Sequence, residues 1–181
     1  MRILLISNSA RGHAIAEALL RSNPQPELIC ATTNCDPFLK KVSTEHVQMD
    51  IMHFPAILEL ARRTKPDFAF IAPDDPIGGG LVDRLASIGI PSIAPKKSLA
   101  RIESSKSFTR HLLKQYNIPG NPKFRVFEFT SSDKLKELEA SILSYIERDL
   151  QGHYVVKYDG LKGGKGVKVS GEHLPTSASG V

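Results

Sequence analysis

Cysteine is nearly missing: Cys30 and Cys35 are the only two in 181 residues, with four residues between them and no accompanying Cys/His set. That excludes a disulfide framework and leaves two ordinary reduced thiols. No apolar run approaches the roughly 20 residues of a membrane span. Met1-Arg2-Ile3-Leu4-Leu5-Ile6 is too short for a signal-peptide core and meets polar Ser7-Asn8-Ser9 at once. The cytoplasm is therefore the expected compartment, with no membrane partner. Tryptophan is absent, aromatic residues make up 7% of the chain, and no basic stripe interleaves with them. Nucleic acid is accordingly not an expected partner. Net charge +5 and a pI near 9.2 still favour an anion, and scattered Lys and Arg suit phosphorylated small molecules. His46, His53, His111, His153 and His173 show no metal-ligand spacing, so no metal site is expected among them. Internal repeats and low-complexity tracts are also lacking.

The chain is long enough for one ordinary domain, or a small domain and part of another, and 41% hydrophobic residues suffice for a packed core. Strand-like runs at Ile3 to Ile6, Leu28 to Thr32, His46 to Met49, Asp67 to Ala72 and Pro91 to Ala94 alternate with helical patterns. These helices run from His13 to Arg21, Pro55 to Arg63 and Leu81 to Ile88. Strands spaced by helices imply parallel pairing, hence an α/β fold with a small doubly wound parallel sheet over about the first 95 residues. Ligands gather at the carboxyl ends of such strands. The two loops of unusual chemistry there are Ser7 to His13 and Pro73 to Gly80.

The second half has another texture. Ser104 or Ser105 can cap a helix running to about Tyr116, and Phe124 to Phe129 reads as a strand. Ser131-Ser132-Asp133 opens an amphipathic helix whose Leu135, Leu138, Ile142, Leu143, Ile146 and Leu150 form a core stripe. Between Tyr154 and Val169, two strand-like runs flank a loop with Gly160, Gly163, Gly164 and Gly166 beside Lys162 and Lys165. Glycines let backbone N–H groups approach an anion closely, and the lysines add positive charge, which suits the phosphates of ATP. The loop is not a Walker A motif: Gly160 to Lys165 is one residue too short, and Gly166 precedes Val167 where Ser or Thr and a helix are needed. The period-two alternation after it predicts a hairpin flap. On residue type alone a solvated Gly/Lys hairpin, a helix-surface Lys106, a strand-edge Lys157 and a capping or packing His13 remain open.

Ala94-Pro95, Ala100, Ile102-Glu103, Ser105-Lys106, Phe108, Arg110, Ile118-Pro119, Val156 to Leu161 and Gly164 to Val167 resemble glycinamide ribonucleotide synthetases, the phosphoribosylamine–glycine ligases of purine biosynthesis. Asn8, Arg11, His13-Ala14, Pro73, Pro76 and Gly80 to Asp83 extend the resemblance along essentially the whole chain. A biotin-carboxylase-like or transformylase-like relative shares the flap, but Arg11 to Ala14 and Pro73 to Asp83 point away from it. The resemblance implies a preATP-grasp phosphoribosyl-substrate domain over residues 1–102, followed by the incomplete beginning of an ATP-grasp domain over 103–181. It implies ATP contacts by Lys106, Lys157, Gly160, Gly163, Gly164, Lys165 and Gly166, and substrate contacts by Asn8, Arg11, His13, Pro73 and Asp74.

The family joins glycine to 5-phosphoribosylamine while ATP becomes ADP and phosphate, so the implied partners are these small molecules. The implied Mg2+ or Mn2+ is held by downstream residues not among these 181. The resemblance thus predicts a chain inactive alone, a fragment or a split subunit completed by the missing C-terminal part as a separate chain. A non-catalytic phosphoribosyl-binding module is the alternative. Three loops depart from the family pattern, one of them the flap, where Lys162 and Gly163 replace small, often alanine, residues and raise its charge. The usual Gly-Asn-Gly-Gly-Arg-Glu-His-Ala becomes Ser7-Asn8-Ser9-Ala10-Arg11-Gly12-His13-Ala14, and the usual Pro-Glu becomes Pro73-Asp74.

Overall fold

Apolar runs too short for helices and bounded by polar turns form the strands of the first unit, residues Met1–Arg101. A computed structural model describes residues 1–129, 131 and 134–180. Strands β1 (Arg2–Ser7), β2 (Glu27–Thr32), β3 (Glu45–Gln48), β4 (Phe68–Ile71) and β5 (Ser92–Ile93) form one parallel sheet ordered β3-β2-β1-β4-β5. The expected doubly wound α/β arrangement is present. Its period-two side chains feed two cores. Leu4, Ile6, Ile29 and Ala31 face α3 (Phe54–Thr64) and α5 (Leu81–Ser87) through Ile57, Leu60, Leu81 and Leu85. Ile3, Leu5, Leu28 and Cys30 face α1 (Ala10–Leu20) and α2 (Pro37–Val42) through Ala16 and Leu39.

Two short helices depart from expectation. Asp36 caps α2 by accepting from the backbone N–H groups of Phe38 (2.8 Å) and Leu39 (3.1 Å), with Pro37 in the first turn. The Pro73 to Gly80 loop is instead helical, α4 (Asp74–Gly79), because Pro73 is an extended cap and Asp74 and Asp75 occupy the first turn. A third unanticipated helix is α6 (Lys97–Ser104).

The second unit, Ile102–Val181, holds α7 (Lys106–Gln115), α8 (Leu135–Ser144) continued as π-helix over Tyr145–Asp149, and an antiparallel hairpin of β6 (Val155–Lys157) and β7 (Val167–Val169). Ser105 caps α7 as expected, accepting from the Phe108 N–H at 3.2 Å. The helix start expected at Ser132-Asp133 lies outside the described residues. Phe124 to Phe129 is not a strand: it has no ladder partner among the described residues, and its rings pack locally, Phe124 against His111 and Phe127 against Tyr145. The Leu135 to Leu150 stripe is not a buried core either. Of these, Ile146 alone is buried, Leu135 is exposed, and the others are half-covered. At on the order of 1.5–3 kcal/mol per fully buried Leu or Ile, apolar stabilisation is concentrated in the sheet unit.

Candidate functional site

The strand order reverses between β1 and β4, which puts a crevice at their carboxyl ends. Arg11, in the first turn of α1, donates through Nη1 to the Ala72 carbonyl (2.7 Å) and to Asp74 Oδ1 (3.2 Å). Its Nε and Nη2 have no partner among the described residues and stay free to meet an anion. Pro73, buried, sets the entry of α4 and so the position of Asp74. Arg11, Pro73 and Asp74 are thus brought together.

Asn8 and His13 belong to the other side of β1. The Asn8 carbonyl accepts from Asn34 Nδ2 (3.0 Å), and His13 Nδ1 meets Asp36 Oδ2 (3.0 Å) while its ring stacks on Phe38 with centroids 4.3 Å apart. Burial raises the Asp36 carboxyl, but hydrogen bonds from Leu39, His13 and Phe38, with the nearby His13 charge, outweigh it and hold the group below its ordinary range. Asn34 and Asp36 went unnoticed in the sequence, as did the contact of Thr32 Oγ1 with His46 Nε2 at 2.9 Å. Asp36-Pro37, a cap followed by proline, was a readable signal for α2. Burial pushes the neighbouring Cys30 thiol up to about 11, against a lowering contact from Ser43, so it stays protonated at neutral pH.

In the second unit the glycine loop joins β6 to β7 as the expected hairpin. Lys165 N–H donates to the Lys162 carbonyl at 2.9 Å across Gly163 and Gly164, whose φ angles are 52° and 78°. Two successive positive φ angles mark a type I′ turn, which β-carbon-bearing residues enter at a cost. A Cβ at either glycine would meet nothing within 4 Å, so backbone conformation and not crowding selects glycine there. The tip is exposed, as are Lys165 and Lys157. Lys106 Nζ reaches the loop base and donates to the Gly160 carbonyl at 2.6 Å. This gathers Lys106, Gly160, Gly163, Gly164, Lys165 and Gly166 at one hairpin, with Lys157 at the end of β6. Loop amides and lysine ammonium groups fit a polyphosphate. Among the described residues no three His, Cys, Asp or Glu side chains gather to hold a metal ion, so these residues do not fit one. No described helix is long and apolar enough to cross a membrane.

Residues 104–178 match an ATP-grasp (A) domain, which places the chain in the ATP-grasp class. Its fold matches the biotin carboxylase domain of Hydrogenobacter thermophilus 2-oxoglutarate carboxylase, solved with MgADP and bicarbonate, at TM-score 0.68 and 13% identity over 93% of this chain and 37% of that one. Residues 1–103 match the phosphoribosylglycinamide synthetase N domain and residues 104–178 the ATP-grasp (A) domain of the same synthetase. The chain belongs to the phosphoribosylglycinamide synthetase family. Phosphoribosylamine–glycine ligases of Methanocella arvoryzae and Methanocaldococcus jannaschii are 38% and 41% identical over 97% and 96% of the chain. The chain spans 38% of the length of each of these relatives.

Proposed function

We propose that residues 1–102 form the phosphoribosyl-substrate domain, and residues 103–181 the nucleotide-covering start of the ATP-grasp domain, of an ATP-dependent ligase joining glycine to 5-phosphoribosylamine. A glycine carboxylate is a poor electrophile. Its oxygen attacks the γ-phosphorus of ATP, releasing ADP and leaving an acyl phosphate; the amine nitrogen then attacks that carbonyl carbon and phosphate departs. Such transfer depends on positioning and charge neutralisation. Lys106, Lys157, Lys165 and the amides of Gly160, Gly163, Gly164 and Gly166 are assigned to the ATP phosphates. Asn8, Arg11, His13, Pro73 and Asp74 are assigned to the phosphoribosyl substrate, with Arg11's free donors on its phosphate. Mg2+ or Mn2+ supplies further charge neutralisation when bound, from ligands outside the described residues.

The observation that carries this reading is the type I′ glycine turn with Lys106 at its base, placed between two strands. Calorimetric titration with ADP and with glycinamide ribonucleotide tests it. Saturable binding of both is expected, with Arg11→Ala weakening only the second. Absence of both binding heats overturns the reading.

A further inference from the structure

Asp159 lies between β6 and the glycine loop, and its carboxylate reaches back to the start of α7. The Ser107 N–H donates to Asp159 Oδ1 at 3.2 Å, while the hydroxyls of Ser107 and Ser105 (3.3 Å) donate to Oδ2. The next residue continues the seam, since the Gly160 carbonyl takes the Lys106 ammonium at 2.6 Å. Two successive loop residues are therefore tied to three successive residues at the beginning of a ten-residue helix. The first N–H groups of a helix lack intrahelical partners and carry partial positive charge, so a carboxylate belongs there. Burial raises the Asp159 carboxyl, yet the hydrogen bonds from Ser107, Lys106 and Ser105 prevail and hold it below its ordinary range. It is the ionised form that is bound.

Beyond this base, the contacts among the described residues are the loop's own: the Tyr158 N–H donates to the Gly166 carbonyl and the Lys165 N–H to the Lys162 carbonyl, each at 2.9 Å. Added β-carbons at Gly160, Gly163 and Gly164 would touch nothing, and Gly163, Gly164 and Lys165 are exposed. A free glycine loop loses much conformational entropy when it closes on a ligand, and fixing its base beforehand removes part of that cost.

We infer that Asp159 is a positioning residue, a clasp that fixes the base of the glycine loop against α7 and holds Lys106 and the loop amides in register for a nucleotide's phosphates. Its nucleotide part rests on the function proposed above; the clasp itself is readable without any ligand.

The test is amide hydrogen exchange of the 181-residue chain, wild type against Asp159→Ala and Asp159→Asn, with ADP titration of each. Asp159→Ala speeds exchange at Ser107 and through residues 160–166 by about tenfold, leaves the sheet unit unchanged, and weakens ADP by about fivefold. Asparagine keeps an acceptor for the Ser107 N–H, so Asp159→Asn recovers part of both effects. Unchanged loop exchange in Asp159→Ala overturns the inference, as does accelerated exchange with wild-type ADP affinity. If the wild type gives no ADP heat, the nucleotide reading fails, and the exchange result alone upholds or overturns the clasp. Should Asp159→Ala unfold the second unit, Asp159→Asn and Ser107→Ala, each removing part of the seam, decide by the same comparison.

Discussion

A β-carbon on Gly12 would lie 2.1 Å from Ser7 Oγ and 2.3 Å from Ser7 Cβ, so the end of β1 and the first turn of α1 meet at these two residues. Both are buried. Ser7 Oγ cannot simply swing away, because it donates to the Ser9 carbonyl at 3.1 Å and accepts from the Ser9 N–H at 3.3 Å. Where the family pattern has glycine first and glutamate five residues later, this chain has serine first and glycine later. In this chain the pair is complementary: the Ser7 side chain fills the space that a side chain on residue 12 would need.

Gly12→Ala should therefore destabilise the sheet unit by about 1–3 kcal/mol through overpacking, even though alanine is the better helix former. In a Ser7→Gly background the same substitution should cost far less, giving a coupling on the order of 0.5–3 kcal/mol. Urea unfolding of the four chains of this cycle measures it. Additive effects would show that the two residues do not share one space.

A second expectation concerns Asp36, which caps α2 and pairs with His13. Asp36→Ala should lower stability by about 0.5–2 kcal/mol, the usual loss of a cap. Asp36→Asn keeps the capping oxygen and removes only the charge. Because the folded-state pKa is depressed, the charge-dependent part is fully present above the unfolded value and lost as pH falls through the folded one. The stability gap between wild type and Asp36→Asn should thus be widest above the unfolded carboxyl's value of about 3.9 and close as pH falls through the lower folded one. Thermal melts across that range check the sign.

Arg11 provides the third. Its ion pair with Asp74 is half-exposed on both sides, 58% and 41%, and such pairs contribute about 0–1 kcal/mol. Arg11→Ala should leave the melting temperature within a few degrees while weakening glycinamide ribonucleotide by about tenfold or more. Lysine in its place should recover little, since a point charge lacks the guanidinium's forked donors. A variant that binds the ribonucleotide like wild type would remove Arg11 from the phosphate site.

The sheet was legible because Ile3 to Ile6 and Leu28 to Ala31 are buried on both faces, and such strands read as unbroken apolar runs. The flap was legible because Val167 and Val169 alternate with Lys168 after the glycines. What escaped reading was set by local caps or by distant partners. Pro76, Gly78 and Gly79 disguised α4, whose six residues are held by Pro73 and a two-acid first turn. Phe124 to Phe129 has strand-like composition, but composition cannot supply a neighbouring strand. The joining of Arg11 to Asp74, and of His13 to Asp36, depends on which strands lie beside β1, a matter of topology that no local window contains.

The last expectation separates conformation from crowding at the flap tip. Gly163 and Gly164 both hold positive φ, and neither site is crowded, so any cost of substitution comes from the backbone. Asparagine tolerates left-handed geometry and commonly precedes glycine in type I′ turns. Gly163→Asn should therefore preserve both hairpin exchange protection and ADP affinity. A β-branched residue resists that geometry by on the order of 1–2 kcal/mol. Gly164→Val should open the turn, raise exchange at Lys165, whose N–H closes it on the Lys162 carbonyl, and weaken ADP by about tenfold. Equal behaviour of the two variants would mean that the loop takes up its ligand in a different conformation from the one that selects glycine here.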